Sequence, residues 1–549
     1  MIHLNINRRA LRLLSASIAA ALCMSCVSVN NRLGEDYIAT NQKFDIYTCD
    51  IDIDDIEMRQ PDSLSGYSLY RFTFGSIRDD LFGLTTRATA FTLVPLMDTL
   101  DFGKAGTQVF REFHFSAVSD SISVESSSQA NILQKVNVYA LDKPLSIKST
   151  NPEISYTKKR ITDGVPVYNG SDSLSFNFSK EFGEQFFGIT KYDLDTITNY
   201  VKKFPGIYIS TDEPSGNGGR INMFRLPLDV QDGYIYGSTA VLKFTAEYPN
   251  RGLVDTSFVF YLGAAQIYDM ENVTDTSPST YPQLAYDITT HESKDMEGSA
   301  SDVIYFEGGK GLKPVIKAEP LRKKIIEEIS KHGDPNKIIV SKATVTMPFD
   351  FPDDYTLLDQ FPKIMSPTCR IVADDGTVTF AGITDASIST ENQGEINRSL
   401  GNYAPDISHH LQELVKLDDL TKVENYDVWF LATREEVITE SNASSSSSDM
   451  SDFYSQMAYA SYYNDMYGYG GYGGYGYGGY GGYGGYGSSY SNYYSYLMLA
   501  QMYSAANSGT TQTTQTLMDF HRFYRGVLNG PKAEGKKPRL SLTYAVPSE

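Results

Sequence analysis

Short segments of alternating apolar and polar residues dominate the chain from about residue 46 onward. They are rich in β-branched and aromatic residues, and Gly, Pro, Asn, Asp and Ser separate them. A period of two is typical of strands with one buried and one exposed face. The pattern predicts an all-β fold, β-rich with a few short helices, built as tandem antiparallel β-sandwich-like domains. The segments are KFDIYTCDIDI, YSLYRFTFGS, ATAFTLVPL, VFREFHFSAV, KVNVYAL, DSLSFNF, GIYISTD, RINMFRLPL, AVLKFTAEY and TSFVFYLG.

Two segments have the period of a helix instead. PLRKKIIEEISKHG begins at Pro320, places Ile325, Ile326 and Ile329 on one face, and ends at Gly333. PDISHHLQELVKL places four apolar residues on one stripe, namely Ile407, Leu411, Leu414 and Val415. Both segments lie between strand-like segments, so we expect crossover or packing helices on a β body.

The first 25 residues have the pattern of a secretory signal peptide. Arginines precede an apolar run from Leu13 to Leu22, which is too short to span a bilayer. Ser25 is the small residue expected before an acylated cysteine, and Cys26 follows it, whereas Leu22 precedes Cys23. The segment resembles a bacterial lipoprotein signal and predicts lipidation, for example with palmitate, at Cys26. Ordinary cleavage without a lipid is the alternative.

Charge excludes one class of function. The chain has 47 Lys and Arg against 67 Asp and Glu, a formal net charge of −20. Such a surface repels phosphate backbones, so we expect no nucleic-acid partner. After cleavage, Cys49 and Cys369 would remain besides the lipidated cysteine. They could pair in an oxidising compartment, although isolated buried residues are the favoured interpretation.

Several motifs resemble, in order along the chain, a family of Bacteroidetes lipoproteins catalogued as domain of unknown function 4270. They include FGSIRDDLFGLTTRATAF with a D-x-x-F-G turn (Asp79, Phe82, Gly83), NILQKVNVYALDKPLS and VKKFPGIYISTDEPSGNGGRINMF. IYFEGGKGLKPVIK, KIIVSKATVTMPF and NGPKAEGKKPRLSLTYAVP follow. The resemblance implies an envelope location and a β-rich fold, and it brings no catalytic residues.

The predicted organisation has four parts. A lipoprotein signal peptide occupies residues 1–25, and a tether occupies 26–45. An N-terminal β-domain follows at 46–270. The C-terminal β-domain at 271–549 is interrupted at about 440–516 by a low-complexity insertion.

The insertion contains YGYGGYGGYGYGGYGGYGGYG, residues 467–487. Frequent glycine makes ordering costly in conformational entropy, so we expect a disordered region. The resemblance continues on both sides of the insertion, which predicts that it lies between two neighbouring strands. A contact arm for another envelope protein is one interpretation, and a neutral repeat expansion in a permissive loop is the other, favoured one.

The acidic segment CDIDIDDIE invites a calcium interpretation, because Asp50, Asp52 and Asp54 alternate. An EF-hand loop needs Gly at its sixth position and Glu at its twelfth, where this chain has Asp55 and Pro61. A solvated strand face is the favoured interpretation.

Other candidate sites are weaker still. EGGKGLK lacks the hydroxyl that should follow Lys310 or Lys313 in a phosphate-binding loop, so a tight turn or bulge is expected. The match to G-x-G-x-x-G that starts at Gly468 reflects composition. His409 and His410 are adjacent and cannot form a two-ligand metal face. We therefore predict no catalytic, cofactor-binding or metal site and no cofactor.

These observations favour a protein that is not an enzyme. The first hypothesis is a lipid-anchored outer-membrane protein of the cell envelope, with a structural or protein-interaction role, bound to the membrane through its anchor and to an envelope protein partner. A glycan-binding surface lipoprotein is the alternative, because sandwich folds often carry sugars on aromatic platforms. Forty tyrosines favour it, and a single tryptophan, Trp429, counts against it. A hydrolase rests only on loose carboxylate pairs such as Asp353 and Asp354. The side of the outer membrane, surface or periplasmic, stays open.

Overall fold

The computed structural model describes residues 43–548, except for 63, 65, 69, 146–152, 232–233, 264–282, 374–375, 377, 388–391 and 442–509. Every pairing between the described strands is antiparallel. Isolated hairpins are only marginally stable in water, so the strands depend on larger sheets that pack on hydrophobic cores. The first sixteen strands are β1 (Phe44–Asp52), β2 (Ile56–Arg59), β3 (Tyr67–Ser68), β4 (Arg71–Asp79), β5 (Gly83–Pro95), β6 (Val109–Val124), β7 (Gln134–Leu141), β8 (Tyr156–Arg160), β9 (Val167–Tyr168), β10 (Ser173–Asn177), β11 (Ile207–Thr211), β12 (Gly218–Arg225), β13 (Asp229–Gln231), β14 (Tyr234–Tyr236), β15 (Thr239–Tyr248) and β16 (Gly252–Gly263).

The remaining strands are β17 (Ala285–His291), β18 (Gly298–Ser299), β19 (Val303–Glu307), β20 (Lys313–Ile316), β21 (Ile339–Pro348), β22 (Ile364–Val372), β23 (Val378–Gly382), β24 (Ile396–Asn397), β25 (Asn402–Tyr403), β26 (Val428–Ser441), β27 (Thr510–Met518), β28 (Arg525–Asn529) and β29 (Arg539–Pro547). The described α-helices are α1 (Lys180–Gln185), α2 (Lys191–Asp195), α3 (Ile197–Lys203), α4 (Ala318–Ile329) and α5 (Ser408–Val415). The β-rich class with a few short helices is therefore confirmed, and each of the ten alternating segments contains a strand.

Phenylalanine fills the first hydrophobic core. Six strands surround this core in the order β4-β5-β16-β15-β6-β12, and the ring closes because β5 pairs with both β4 and β16. Strands β11, β7 and β8 extend the sheet from β5. Phe113 lies near the centre of the core, with the rings of Phe178, Phe186 and Phe260 within 5.6 Å of its own. We name this cluster the phenylalanine core.

The helices α1 to α3 cover part of the phenylalanine core. Thr190 and Asp193 form a capping box that begins α2, and the Ser179 side chain caps α1. Tyr200 on α3 is fully buried and donates its hydroxyl to the Leu93 carbonyl at 2.7 Å. The sequence analysis did not predict these helices, although the T-x-x-D pattern of the capping box is visible in the sequence.

The second core lies between two sheets and two helices. One sheet has the order β1-β29-β21-β25-β24, and the other has the order β18-β2-β20-β26-β22-β23, with β27 paired to β26. Both predicted helices pack here. Ile325 and Ile329 of α4 are buried while Ile326 is half-buried, and the predicted stripe of α5 is buried, namely Ile407, Leu411, Leu414 and Val415. Helix α4 begins at Ala318, two residues before Pro320. Proline is tolerated there because the backbone N–H groups of the first helical turn have no partner within the helix.

The two cores do not divide the chain at residue 270, where the sequence analysis placed a domain boundary. Strands β1 and β2 contribute Ile51 and Ile56 to the second core, whereas β17 contributes Tyr286 to the first core. β1 also begins at Phe44, within the predicted tether. Along the sequence, the first two strands belong to the second core, the next strands up to β17 form the first core, and the later strands belong again to the second core. Long-range pairing, rather than position along the chain, assigns a strand to its sheet. No described helix is long and apolar enough to cross a membrane.

Candidate functional site

The cysteines named by the sequence analysis have separate surroundings. The predicted lipidation site, Cys26, lies outside the described residues. Cys49 is half-buried on β1 and Cys369 is buried on β22, and both are free thiols. They do not form the disulfide that an oxidising compartment would permit.

Cys369 and His410 have the composition of a nucleophilic dyad. Cys369 Sγ lies 3.8 Å from His410 Nδ1, and both side chains are buried. Burial raises the pKa of the Cys369 thiol far above its usual value and lowers the pKa of His410 to about 4. The reactive thiolate form is therefore disfavoured, and the contact serves packing in the second core.

A two-stranded ribbon carries the Tyr/Gly-rich insertion. Beyond Thr433, β26 pairs only with β27 among the described strands, from Arg434 opposite Leu517 to Ser441 opposite Thr510. We name residues 434–441 and 510–517 the ribbon. The insertion therefore lies between two neighbouring, paired strands, as predicted, but it spans residues 442–509. Residues 510–516 belong to β27. The conformation of the Tyr/Gly tract itself lies outside the described residues.

The segment that follows β27 fixes the base of the ribbon. The Asp519 backbone N–H donates to the Ala432 carbonyl at 2.9 Å, and the Asp519 carboxylate accepts the Tyr524 hydroxyl at 2.8 Å. We call the strands and helices around the phenylalanine core the first body, and those around the second core the second body. His521 Nε2 lies 2.8 Å from Ser68 Oγ on β3, in the first body. The base of the ribbon is thus bonded to both bodies.

Two more contacts of the same segment reach the first body. The Phe523 backbone N–H donates to Ser123 Oγ at 3.2 Å, and Phe523 packs against residues of β4 and β12. Arg525 Nη1 lies 3.2 Å from Asp79 Oδ2. Asp79 also accepts the backbone N–H groups of Leu81 and Phe82, both at 2.7 Å. The D-x-x-F-G motif is therefore a carboxylate-capped turn that meets the base of the ribbon.

Nine ionisable side chains meet where the two bodies adjoin, beside the base of the ribbon. Strands β5 and β17 supply three of them. The end of β19, the turn after it and the start of β20 supply three more, and β26 and the segment after β27 supply the others. Mutual electrostatic interactions connect them. We name this cluster the charged junction, and its members are Arg87, Asp287, His291, Glu307, Lys310, Lys313, Arg434, Asp519 and His521.

Glu307 organises one half of the charged junction. Its carboxylate accepts the Ser293 hydroxyl and the Leu312 backbone N–H at 3.2 Å, and it lies 3.1 Å from His291 Nδ1. Burial alone would raise the pKa of Glu307, but these partners outweigh it and hold the pKa below its usual value. Burial lowers the pKa of His291. The ionised carboxylate is therefore the form that this half stabilises.

Lys313 closes the EGGKGLK segment, which is the predicted tight turn, here between β19 and β20. Lys313 Nζ donates to the carbonyls of Glu307, Gly311 at 2.8 Å and Leu312 at 3.4 Å. The side chain is buried, and burial lowers its pKa to about 7. Both lysines of this segment therefore belong to a buried ionic cluster, because burial also lowers the pKa of Lys310 to about 8.

Asp287 and Arg87 form the other half of the charged junction. Thr73 donates its backbone N–H and its hydroxyl to Asp287, both at 3.0 Å, and His521 Nε2 lies 3.7 Å away. Burial raises the pKa of Asp287 to about 7, although Thr73 and Arg87 oppose the rise. Arg87 donates to Thr289 Oγ1, and burial lowers its pKa to about 10. This half carries a buried carboxylate whose charge depends on its neighbours.

The acidic segment of β1 has a solvated face, as predicted. Asp50, Asp52 and Asp54 are exposed. Asp50 accepts the Ser541 hydroxyl at 2.6 Å, and Asp54 is paired with Lys324. Among the described residues, no group of three or more His, Cys, Asp or Glu side chains is placed to hold a metal ion.

The remaining predicted candidates are separated in the structure. His409 is half-buried and lies 3.6 Å from Glu413, while His410 points to Cys369. Asp354 accepts the Thr356 backbone N–H at 2.9 Å and caps a short 3₁₀ turn, and its hydrogen bonds hold its pKa below the usual value. Asp354 therefore has a structural partner rather than the raised pKa of a glycosidase acid.

Aromatic surfaces were expected for glycan binding. Tyr139, Tyr156 and Tyr208 form a stack, with Tyr156 centroids 5.3 Å and 4.2 Å from its neighbours. Tyr156 therefore already stacks on two rings, whereas a sugar needs a free aromatic face. Phe351 and Tyr355 are both exposed, with centroids 6.0 Å apart and ring planes 32° apart. This pair is the better aromatic platform.

The sequence analysis missed Arg87, Asp287 and Glu307. A signal was present, because each is a charged residue within or at the end of an apolar strand segment: Arg87 in LTTRATAF, Asp287 in LAYDITT and Glu307 in VIYFEG. Charges in such positions are rarely left buried without a partner. The partners of Arg87 and Asp287 could not be named, because Thr289 and Thr73 lie 202 and 214 residues away from them. Glu307 has its hydrogen-bond partners within 16 residues, but no local period indicates them.

Comparison of the chain with family models, with curated proteins and with solved structures gives no match. The resemblance to the Bacteroidetes lipoproteins therefore stays a prediction.

Proposed function

We propose that the chain is a lipid-anchored outer-membrane protein of the cell envelope with a non-enzymatic, protein-interaction role, and that the ribbon presents residues 442–509 to a protein partner. The ribbon is the single observation that carries this proposal. The ribbon extends from the second body as two strands that pair with each other. Its tip joins the two ends of a 68-residue segment.

The base of the ribbon gives the proposal its physical support. A permissive loop needs only a tolerant surface, whereas this ribbon continues a core strand and is bonded to both bodies through Asp519 and His521. A firmly held base reduces the freedom that the segment loses when a partner binds. The broad apolar and aromatic composition of the flanks, DFYSQMAYASYYNDMY and SNYYSYLMLAQMYSAAN, suits a protein contact.

The anchor is tested by metabolic labelling with a fatty acid. We expect Cys26→Ala to lose the label and to leave the membrane fraction, while Cys23→Ala retains both. A labelled Cys26→Ala protein contradicts the anchor. Unlabelled wild-type protein in the soluble fraction would show that the signal is merely cleaved.

The partner is tested by photo-crosslinking in intact cells. A photoreactive aromatic residue is placed at Tyr454 or Tyr494 in the insertion, and at Tyr192, an exposed tyrosine on α2, as the matched control. We expect one discrete protein adduct from both insertion positions and none from Tyr192. Adducts from all three positions alike, or from none, contradict the contact arm and favour a neutral expansion.

A glycan-binding function is the second candidate, and the exposed pair Phe351 and Tyr355 favours it. Aromatic faces stack on sugar rings. Binding to a panel of polysaccharides should be lost in Phe351→Ala and Tyr355→Ala and kept in Tyr192→Ala. Binding that persists in both platform variants contradicts this candidate.

A further inference from the structure

The sheet β1-β29-β21-β25-β24 contains the first and the last described strands, and we name it the terminal sheet. Its outer face has an apolar end. Ile46 on β1 lies opposite Ala545 on β29, which lies opposite Ile339 on β21. Phe44 lies opposite Pro547 in the next row. Ile46 is 71% exposed, Ile339 is 49% exposed and Phe44 is 41% exposed. We name these five residues the terminal patch.

The face becomes polar with distance from the terminal patch. The next row contains Thr48, Thr543 and Lys342, and the row after it contains Asp50 and Ser541. The first carboxylate on this face is therefore Asp50. The exposed Asp45 lies between Phe44 and Ile46 but alternates to the other face of β1. In a chain of net charge −20, an apolar end whose own face has no carboxylate before Asp50 is a distinct surface, because an apolar patch that is both exposed and contiguous marks a contact site.

The terminal patch adjoins the point where the predicted tether joins the body. The Ser548 backbone N–H donates to the Lys43 carbonyl at 2.9 Å, so both ends of the described chain lie beside Phe44. The seventeen residues from Val27 to Lys43 connect this point to Cys26. Covalent geometry limits the reach of seventeen residues to about 60 Å. The terminal patch is then the apolar surface nearest to the acylated residue along the chain.

We propose that the terminal patch rests on the lipid surface and sets the orientation of the body on the membrane. This inference relies on the anchor in the proposed function. A short tether holds the patch at high local concentration near the bilayer, so a weak apolar contact suffices. Phe44 and Ile46 insert into the interfacial region, while the polar rows beyond Thr48 stay in water. The ribbon belongs to a different sheet and keeps its own partner.

The experiment uses the full-length acylated protein in vesicles of phosphatidylethanolamine and phosphatidylglycerol whose acyl chains are brominated near the head groups. Phe44→Trp places a reporter in the terminal patch, and Leu253→Trp places one at the matched control position, an exposed leucine on β16. The native Trp429 is buried, and its signal is subtracted with the wild-type protein. We expect strong quenching and a blue shift for Phe44→Trp, and neither for Leu253→Trp.

A second variant separates contact from mere proximity. Ile46→Ser combined with Ile339→Ser, in the Phe44→Trp protein, should lose most of the quenching while the protein still floats with the vesicles. A protein that does not float shows that the anchor itself is wrong. A protein that floats without quenching of Phe44→Trp overturns the terminal patch alone. Protection of Phe44→Trp from an aqueous quencher without lipid overturns it in favour of a second copy of the chain.

Discussion

The phenylalanine core and the charged junction are both buried, yet different forces hold them. Phe113 and its neighbours in the phenylalanine core contact one another through rings whose mutual angles vary from 11° to 70°. Glu307 and Lys313 in the charged junction instead have defined donors and acceptors. The core depends on volume and contact area, whereas the junction depends on direction and on protonation state.

This difference explains how the two bodies adjoin. An apolar surface can pack in several registers, but a carboxylate that has lost its solvent is stable only opposite its own donors. The charged junction is therefore expected to select one arrangement of the first body, the second body and the ribbon, while the phenylalanine core supplies most of the stability of the first body.

The largest effect should come from the phenylalanine core. Phe113→Ala removes a fully buried ring and should lower the free energy of unfolding by about 3–5 kcal/mol. Leu253→Ala, at an exposed leucine, should change it by less than about 0.5 kcal/mol. Denaturant unfolding measures both. The loss should be the same at pH 6 and pH 9. A loss that changes with pH would contradict the view that only the charged junction depends on protonation state.

Glu307→Gln tests the charged junction at nearly the same volume. The substitution leaves the donors of Ser293 and His291 facing an amide, and we expect a loss of about 3 kcal/mol. Glu112→Gln, in the exposed pair with Lys243, should cost less than about 1 kcal/mol. Equal and small losses in both variants would show that the junction is no more than a set of surface-like pairs.

The pH dependence of stability should separate the regions further. Lys313 has a pKa of about 7 in the folded chain against 10.5 for an ordinary lysine, so the unfolded chain binds more protons between these values. Stability should therefore rise from pH 7 to pH 9, by up to about 2 kcal/mol. Lys313→Met should remove the larger part of the rise and leave the part that is due to Lys310, whose pKa burial lowers to about 8. Lys243→Met at the surface should keep the whole rise. A flat wild-type profile contradicts the assignment.

The smallest effect should come from the insertion. A Gly/Ser loop of seventeen residues in place of residues 442–509 shortens the connection fourfold and should stabilise the body by only about 1 kcal/mol. Thermal unfolding of the two proteins measures it. A deletion that unfolds the body would mean that the insertion packs into a core. A second deletion also removes residues 435–441 and 510–516 of the ribbon. It should leave the thermal stability unchanged only if the ribbon contributes nothing to that stability.

Local pattern was a good guide to individual elements and a poor guide to their partners. The alternation in VFREFHFSAV predicted β6, and the stripe in PDISHHLQELVKL predicted α5, because burial of one face repeats with the period of the element. The short helices α1 to α3 were missed, since five to seven residues give little periodicity. The Tyr/Gly-rich insertion was located correctly between paired strands, but its borders were displaced by the polar strand β27.

The sequence by itself determined the β-rich class, the two amphipathic helices, the acidic charge and the position of the insertion, because each depends on neighbouring residues and on composition. Only the tertiary structure decided that β1 and β2 complete the second core and that β17 completes the first. The same holds for the charged junction and the terminal patch. Arg87 interacts electrostatically with Glu307, and Ile46 meets Ile339 across Ala545 through pairings between strands that lie far apart in the sequence. Such contacts follow from register and topology, which no local period contains.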